Sequence, residues 1–164
     1  HGDGPVALVL TRQKVPAQPG AAAAGRDGVA RGGYVLAEAE GGAPRALLLA
    51  TGSEVAVAVE ARTLLQAEGI PTRVVSLPCW ELFEAQPRDY RDAVLPPQVA
   101  ARVSIEAAST FGWRQFVGSA GVCIGLDHFG ASAPGQTNLD NFGFTGENVA
   151  RVARALVGVL EGDA

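Results

Sequence analysis

Residues 45–78 read RALLLATGSEVAVAVEARTLLQAEGIPTRVVSLP. Arg45–Ala50 is apolar almost from end to end, which marks a strand buried on both faces. Ser53–Glu68 carries Val55, Ala58, Val59 and Leu65 at helical spacing, so one stripe of that helix faces a core. Gly69 stands where such a helix is capped, and Thr72–Leu77 is a second apolar strand stopped by Pro78. Strand, helix and strand in this order predict a parallel sheet covered on both sides.

The pattern continues on either side. Tyr34–Ala39 reads as a short strand, followed by a turn at Gly41-Gly42-Ala43-Pro44. The hairpin-like link to Arg45–Ala50 predicts one antiparallel edge strand. Residues 79–86 and 88–94 are short helical pieces, broken at Pro87 and at Pro96-Pro97. Arg102–Ala107 and Val122–Leu126 are further buried strands, with a short helix over Gly112–Val117 between them. Gly130 to Asn141 is expected to be a loop, and Thr145–Leu160 a final amphipathic helix. The predicted fold class is therefore α/β: a three-layer α/β/α Rossmann-like domain with about five strands, mostly parallel, and one antiparallel edge strand.

The N-terminal stretch differs. Residues 4–10 (Gly-Pro-Val-Ala-Leu-Val-Leu) read as a short buried strand. Val15 to Gly33 is rich in Gly, Pro and Ala with no clear period, and reads as a linker or long surface connection. The domain proper is expected to begin near Gly33.

Composition narrows the function classes. The chain has 164 residues, 48% hydrophobic and 18% charged, which is globular and not disordered. Its net charge of −4 offers no basic field for nucleic acid or an anionic membrane. No apolar run approaches the roughly 20 residues of a membrane span. Cys79 and Cys123 form no CxxC, and with two histidines there is no metal-ligand cluster. A reducing, cytoplasmic setting fits this. Methionine is absent, so the chain reads as a fragment or a processed product. Lys14 is the sole lysine.

In open sheets of this kind ligands bind outside the carboxyl ends of the strands. Three segments fall there: Thr51-Gly52-Ser53-Glu54, Glu106 to Thr110, and Asp127-His128-Phe129-Gly130. The first opens a helix and offers an anion position, but its spacing reads better as a capping box, with Thr51 at the N-cap and Glu54 three residues on. One glycine falls short of a dinucleotide loop. Asp127 and His128 are adjacent and point to opposite sides, so they suit loop ordering or an interface better than acid–base chemistry. Glu106 reads as a hydrogen-bonded structural acid, Cys79 and Cys123 as core thiols, and His1 as incidental. No nucleophile–base constellation is present. Catalytic, cofactor-binding and metal-ligating residues are all expected to be none. Arg12, directly after the first strand, is placed to fork onto a phosphate or carboxylate. A surface salt bridge is an equal reading of the pattern alone.

A set of short segments then adds specificity: Leu10-Thr11-Arg12-Gln13, Gly32-Gly33-Tyr34-Val35-Leu36, Ala50-Thr51-Gly52-Ser53-Glu54-Val55, and Arg73-Val74-Val75-Ser76-Leu77-Pro78. Leu82-Phe83-Glu84-Ala85-Gln86, Tyr90 to Pro96, Asp127 to Pro134 and Phe142 to Val149 continue it. In this order and spacing the chain resembles the C-terminal end of the transketolase family, from about Gly4 to Gly162. The resemblance implies a parent enzyme of three domains, with thiamine diphosphate and a divalent metal (Mg or Ca) held by upstream segments. It implies transfer of a two-carbon ketol unit from ketose phosphates to aldose phosphates in the pentose phosphate pathway, by a homodimer. Residues 1–14 would end the pyrimidine-binding domain, 15–32 would be the linker, and 33–164 the C-terminal domain. Arg12 matches the arginine of the family's Ser/Thr-Arg-Gln segment, which binds the substrate's sugar-phosphate group; here Thr11 stands where many members have Ser. No cofactor is expected in this fragment, which would be architectural and inactive alone. Its partners would be the upstream domains, a second subunit and sugar phosphates, with neither nucleic acid nor membrane. The alternative is an independent regulatory module that binds a nucleotide or another small anion at the strand-end crevice.

Overall fold

The computed structural model describes residues 4–11 and 13–162. Five strands form one sheet: β1 (Tyr34–Ala37), β2 (Ala46–Ala50), β3 (Thr72–Ser76), β4 (Arg102–Ile105) and β5 (Val122–Ile124). Their spatial order is β1-β3-β2-β4-β5. β2 pairs in parallel with β3 and with β4, and β4 in parallel with β5. The edge strand is antiparallel, as its pattern predicted. Its partner is not β2, however. Tyr34 lies opposite Ser76, so β1 runs against β3. The long turn at residues 38–45 carries the chain past β3 to the sheet centre, where the apolar run of β2 is buried on every side.

Alternation along β2 builds the layers. Leu48 and Ala50 face one cluster with Leu36, Val74, Val103 and Ile105. Helices α2 (Val55–Ala67) and α7 (Gly146–Gly162) close that face with Ala58, Ala61, Leu65, Val149, Ala150 and Ala153. Leu47 and Leu49 face the other way, towards Val75, Leu77, Phe83, Val94, Trp113 and Phe116. That layer comes from α3 (Trp80–Glu84), α4 (Arg88–Val94) and α5 (Arg114–Val117). Trp80 packs edge-on to Trp113 and Phe116, with centroids 5.0 and 5.1 Å away. Leu47, Leu48 and Leu49 have no solvent exposure, and burying each contributes about 1.5–3 kcal/mol. α2 ends as anticipated. Gly69 (φ 75°) donates to Gln66 O and Ile70 donates to Leu65 O, the paired bonds of a Schellman cap.

Arginines tie the periphery. Arg73 donates to both carboxylate oxygens of Glu38 at 2.8 Å, and to Ala93 O and Val94 O. Partial burial pushes the Glu38 carboxyl up, but the Arg73 and Ala39 bonds and the nearby Arg62 outweigh this and hold it below its ordinary value. No helix among the described residues is long and apolar enough to cross a membrane.

Three expectations are corrected. Residues 4–10 form no strand and are exposed, because no sheet edge among the described residues pairs with them. The stretch read as linker carries a helix, α1 (Pro19–Ala30), interrupted at Gly25 (φ 56°). Gly20 and Gly28 are contact positions: a Cβ on Gly20 would sit 1.9 Å from Leu36 O, and one on Gly28 would sit 2.9 Å from the Tyr34 ring. The loop at 130–141 contains α6 (Gly135–Asn141), which lacks buried residues and so shows no period. Asn138 holds its start by donating to Ala131 O at 2.8 Å.

Two substitutions test this packing. Ser104 is fully buried, and its hydroxyl has no partner among the described residues. Ser104→Ala is expected to leave stability unchanged or raise it by up to about 1 kcal/mol in denaturant unfolding. Gly20→Ala is expected to speed amide hydrogen exchange across residues 20–30 while the β2 and β4 amides stay protected.

Candidate functional site

The parallel strands deliver four loops to one edge, after Ala50, Ser76, Ile105 and Ile124. Backbone bonds lace them together. Leu77 donates to Ala50 O, Glu106 to Ile124 O, and Leu126 to Ala108 O at 2.7 Å. Three carboxyl side chains occupy this edge, and each is engaged.

Glu54 is buried in the 3-10 turn Gly52–Glu54 that opens α2. It accepts the Ser53 hydroxyl at 2.7 Å and the Ala107 N–H at 3.0 Å. The capping-box expectation fails here. Thr51 makes no side-chain cap bond, and Glu54 reaches across to the loop after β4 instead of back to Thr51. The helix N-terminus that would draw an anion therefore holds the chain's own acid, which weighs against an independent anion or nucleotide module. Glu106 accepts the Trp113 indole N–H at 2.8 Å, which fits the structural acid predicted.

Asp127 accepts the Ser109 and Thr110 hydroxyls at 2.8 and 2.6 Å, and the Thr110 N–H at 2.9 Å. The Thr110 hydroxyl and N–H, then Ser109, hold its carboxyl below the ordinary value. His128 contacts Phe129 O through Nδ1 at 2.8 Å and stacks edge-on against Phe142. Asp127 and His128 thus serve different partners, consistent with loop ordering. Ser109 and Thr110 were not singled out in the sequence; two hydroxyls shortly after a strand end were the available signal. Phe111 and Phe129 project from these tied loops, 89% and 98% exposed.

A cavity of about 650 Å³ lies beside Glu54, lined by Ser53, Ala107, Gln136 and Leu139 together with Thr11, Gln13 and Lys14. Arg12 and His1 lie outside the described residues. Cys79 and Cys123 are both free and half-buried rather than core residues. Cys123 packs against the aromatic layer, and the Cys79 thiol lies 3.5 Å from Glu81. Among the described residues no group of three His, Cys, Asp or Glu side chains could hold a metal.

The Asp127 tie has a pH signature. Its carboxyl titrates below the ordinary 3.8, so its contribution is fully present above that pH and is lost as pH falls through the lower folded-state value. Amide exchange at residues 106–112 and 125–130 is expected to accelerate in that acid range. Asp127→Asn should show the faster exchange already at neutral pH.

Comparison with known proteins follows the same lines. The family model for the transketolase-like C-terminal domain matches residues 32–145. The transketolase of Geobacillus stearothermophilus is 52% identical over 95% of this chain, and that of Mycobacterium tuberculosis 53% identical over 95%. The chain spans 23% of the length of each of these curated relatives. Among solved structures, the Pichia stipitis transketolase complex with sedoheptulose-7-phosphate matches with a TM-score of 0.82 and 36% identity, covering 92% of this chain and 21% of that one. The five-stranded mixed sheet, the helices on both its faces and the matched residues 32–145 agree: the chain belongs to the transketolase-like C-terminal domain family.

Proposed function

We propose that this chain works as the C-terminal part of a transketolase, an enzyme that moves a two-carbon ketol unit from a ketose phosphate to an aldose phosphate in the pentose phosphate pathway. The observation that carries the reading is a likeness of about half identity running through 95% of the chain while covering only 23% of the relative. In this reading residues 1–14 end the pyrimidine-binding domain, 15–32 connect, and 33–164 form the C-terminal domain. The start of the family match at residue 32 supports that boundary. The connecting stretch is partly helical and docks on β1 through α1.

Thiamine diphosphate and its divalent metal belong to segments outside this chain. The described residues do not fit them. At the strand-end crevice the Glu54, Glu106 and Asp127 carboxylates are all spent on loop hydrogen bonds. The role of the domain is architectural. Val6, Leu8, Val9, Leu10, Phe111 and Phe129 are exposed apolar side chains, suited to packing against the upstream domains and the second subunit of a cytoplasmic homodimer.

Arg12 is the residue of this chain that touches substrate, through the sugar phosphate. A guanidinium fork on a phosphate suits a chain with no basic field, and the related Pichia stipitis transketolase is a complex with a sugar phosphate, sedoheptulose-7-phosphate. Arg12→Ala in the full-length enzyme is expected to raise KM for phosphorylated sugars by about tenfold or more, the effect of losing roughly 1.5–3 kcal/mol of charge-assisted contact. KM for unphosphorylated sugars should barely change. Steady-state kinetics on matched sugar pairs check this, and equal losses on both would remove the assignment. The 164-residue chain alone is expected to show no ketol transfer with thiamine diphosphate and Mg²⁺ added.

A further inference from the structure

A cavity of about 480 Å³ opens on the α3–α4–α5 side of the sheet, where β4 begins. That is the opposite edge from the strand-end loops. Arg88, Arg91 and Arg102 line it with Glu84 and Asp92. Three guanidiniums face two carboxylates, so the wall is positive in a chain whose net charge is −4.

The three arginines are engaged differently. Arg88 is 85% exposed and reaches Asp92 at 3.3 Å, a weak surface pair. Arg102 donates to four carbonyls: Val99 O at 2.9 Å, Phe116 O at 2.8 Å, Pro96 O at 2.9 Å and Leu95 O at 3.3 Å. Its charge is locked in place with no carboxylate in hydrogen-bond contact among the described residues. Burial pulls the Arg102 guanidinium down from its ordinary value, with Asp92 acting the other way; an arginine stays protonated all the same. Arg91 is half-buried, and its Nε is buried without a hydrogen-bond partner among the described residues. No ion pair among the described residues uses it. That Nε is shut off from solvent, so an oxyanion in the cavity would take the terminal guanidinium N–H groups of Arg91, which form no ion pair among the described residues and lie beside a fixed positive charge.

We propose that this cavity binds a small oxyanion of the phosphate class, with the Arg91 guanidinium as its principal contact and Arg102 supplying fixed positive charge. The site is separate from the cavity lined by Thr11, Gln13 and Lys14 and does not depend on the transketolase reading.

The test is titration of the 164-residue chain with inorganic phosphate at constant ionic strength, balanced with chloride, followed by the NMR signals of the arginine Nε–H groups. The expected result is a saturable shift at Arg91 and Arg102 and none at Arg151, which bonds Asn148 on α7. Arg91→Gln should weaken binding by about tenfold or more. Arg91→Lys should do likewise, since it keeps the charge and loses the fork. Arg151→Gln should leave binding intact. A shift that never saturates, that is equal at Arg151, or that survives both Arg91 substitutions overturns the proposal. Acetate binding as well as phosphate would overturn the phosphate class. If neither Arg91 variant folds, the Arg91 signal of the unaltered protein decides alone.

Discussion

Three consecutive leucines, Leu47, Leu48 and Leu49, lie at the centre of the sheet with no contact with water. Neighbouring side chains on a strand point in opposite directions, so such a run can be buried only if both faces are covered. That demand fixes the three layers. One cover is made by α2 and α7 through alanine and valine, close and smooth. The other is made of short helices that hold Trp113, Phe116 and Phe83 against Leu47 and Leu49. The short helices have too little backbone to hold themselves, so the aromatic layer and the carbonyls gathered by Arg73 and Arg102 fix them in place.

The carboxyl edge of the sheet is where a nucleotide-binding relative of this architecture would keep its ligand. Here the carboxylates of that edge are spent on its own loops. Glu54, Glu106 and Asp127 each bridge one loop to another residue of the same edge. Acids that a catalytic site would keep available are used as ties. The loops gain a fixed shape, and two phenylalanines are held out in water on them. This suits the proposed role, in which the domain packs against other parts of a transketolase.

The layered fold was legible because its signals are local. The apolar run of Arg45–Ala50, the period of Ser53–Glu68 and the cap at Gly69 each carry their own physics. Strand neighbours were less legible. The turn after β1 looks like a hairpin link, yet burial of β2 sends β1 to β3 instead. The helix α1 was hidden because Gly20, a breaker by propensity, is required by the close approach of Leu36 O. Helix α6 was hidden because Leu139 is its one apolar contact with the core and it has no fully buried residue to set a period. At the site, the roles of Glu106 and Asp127 could be read from their positions at strand ends. The capping box at Thr51 could not be judged, since the partner that won Glu54 is the Ala107 N–H, 53 residues away along the chain. The positive cavity at Arg91 and Arg102 joins α4 to the start of β4 across Pro96-Pro97, and had no signature in either.

Arginine supplies nearly all of the positive charge, and the single lysine, Lys14, lines the cavity beside Glu54. The arginines make the forks and clamps described above, geometry that an ammonium group does not reproduce. One outcome is a chemical address. Besides the α-amino group, an amine-selective reagent finds a single lysine side chain in this 164-residue chain, and it stands where the N-terminal segment meets the strand-end loops. A dye or spin label placed there reports on the surroundings of that cavity, with no engineered attachment point.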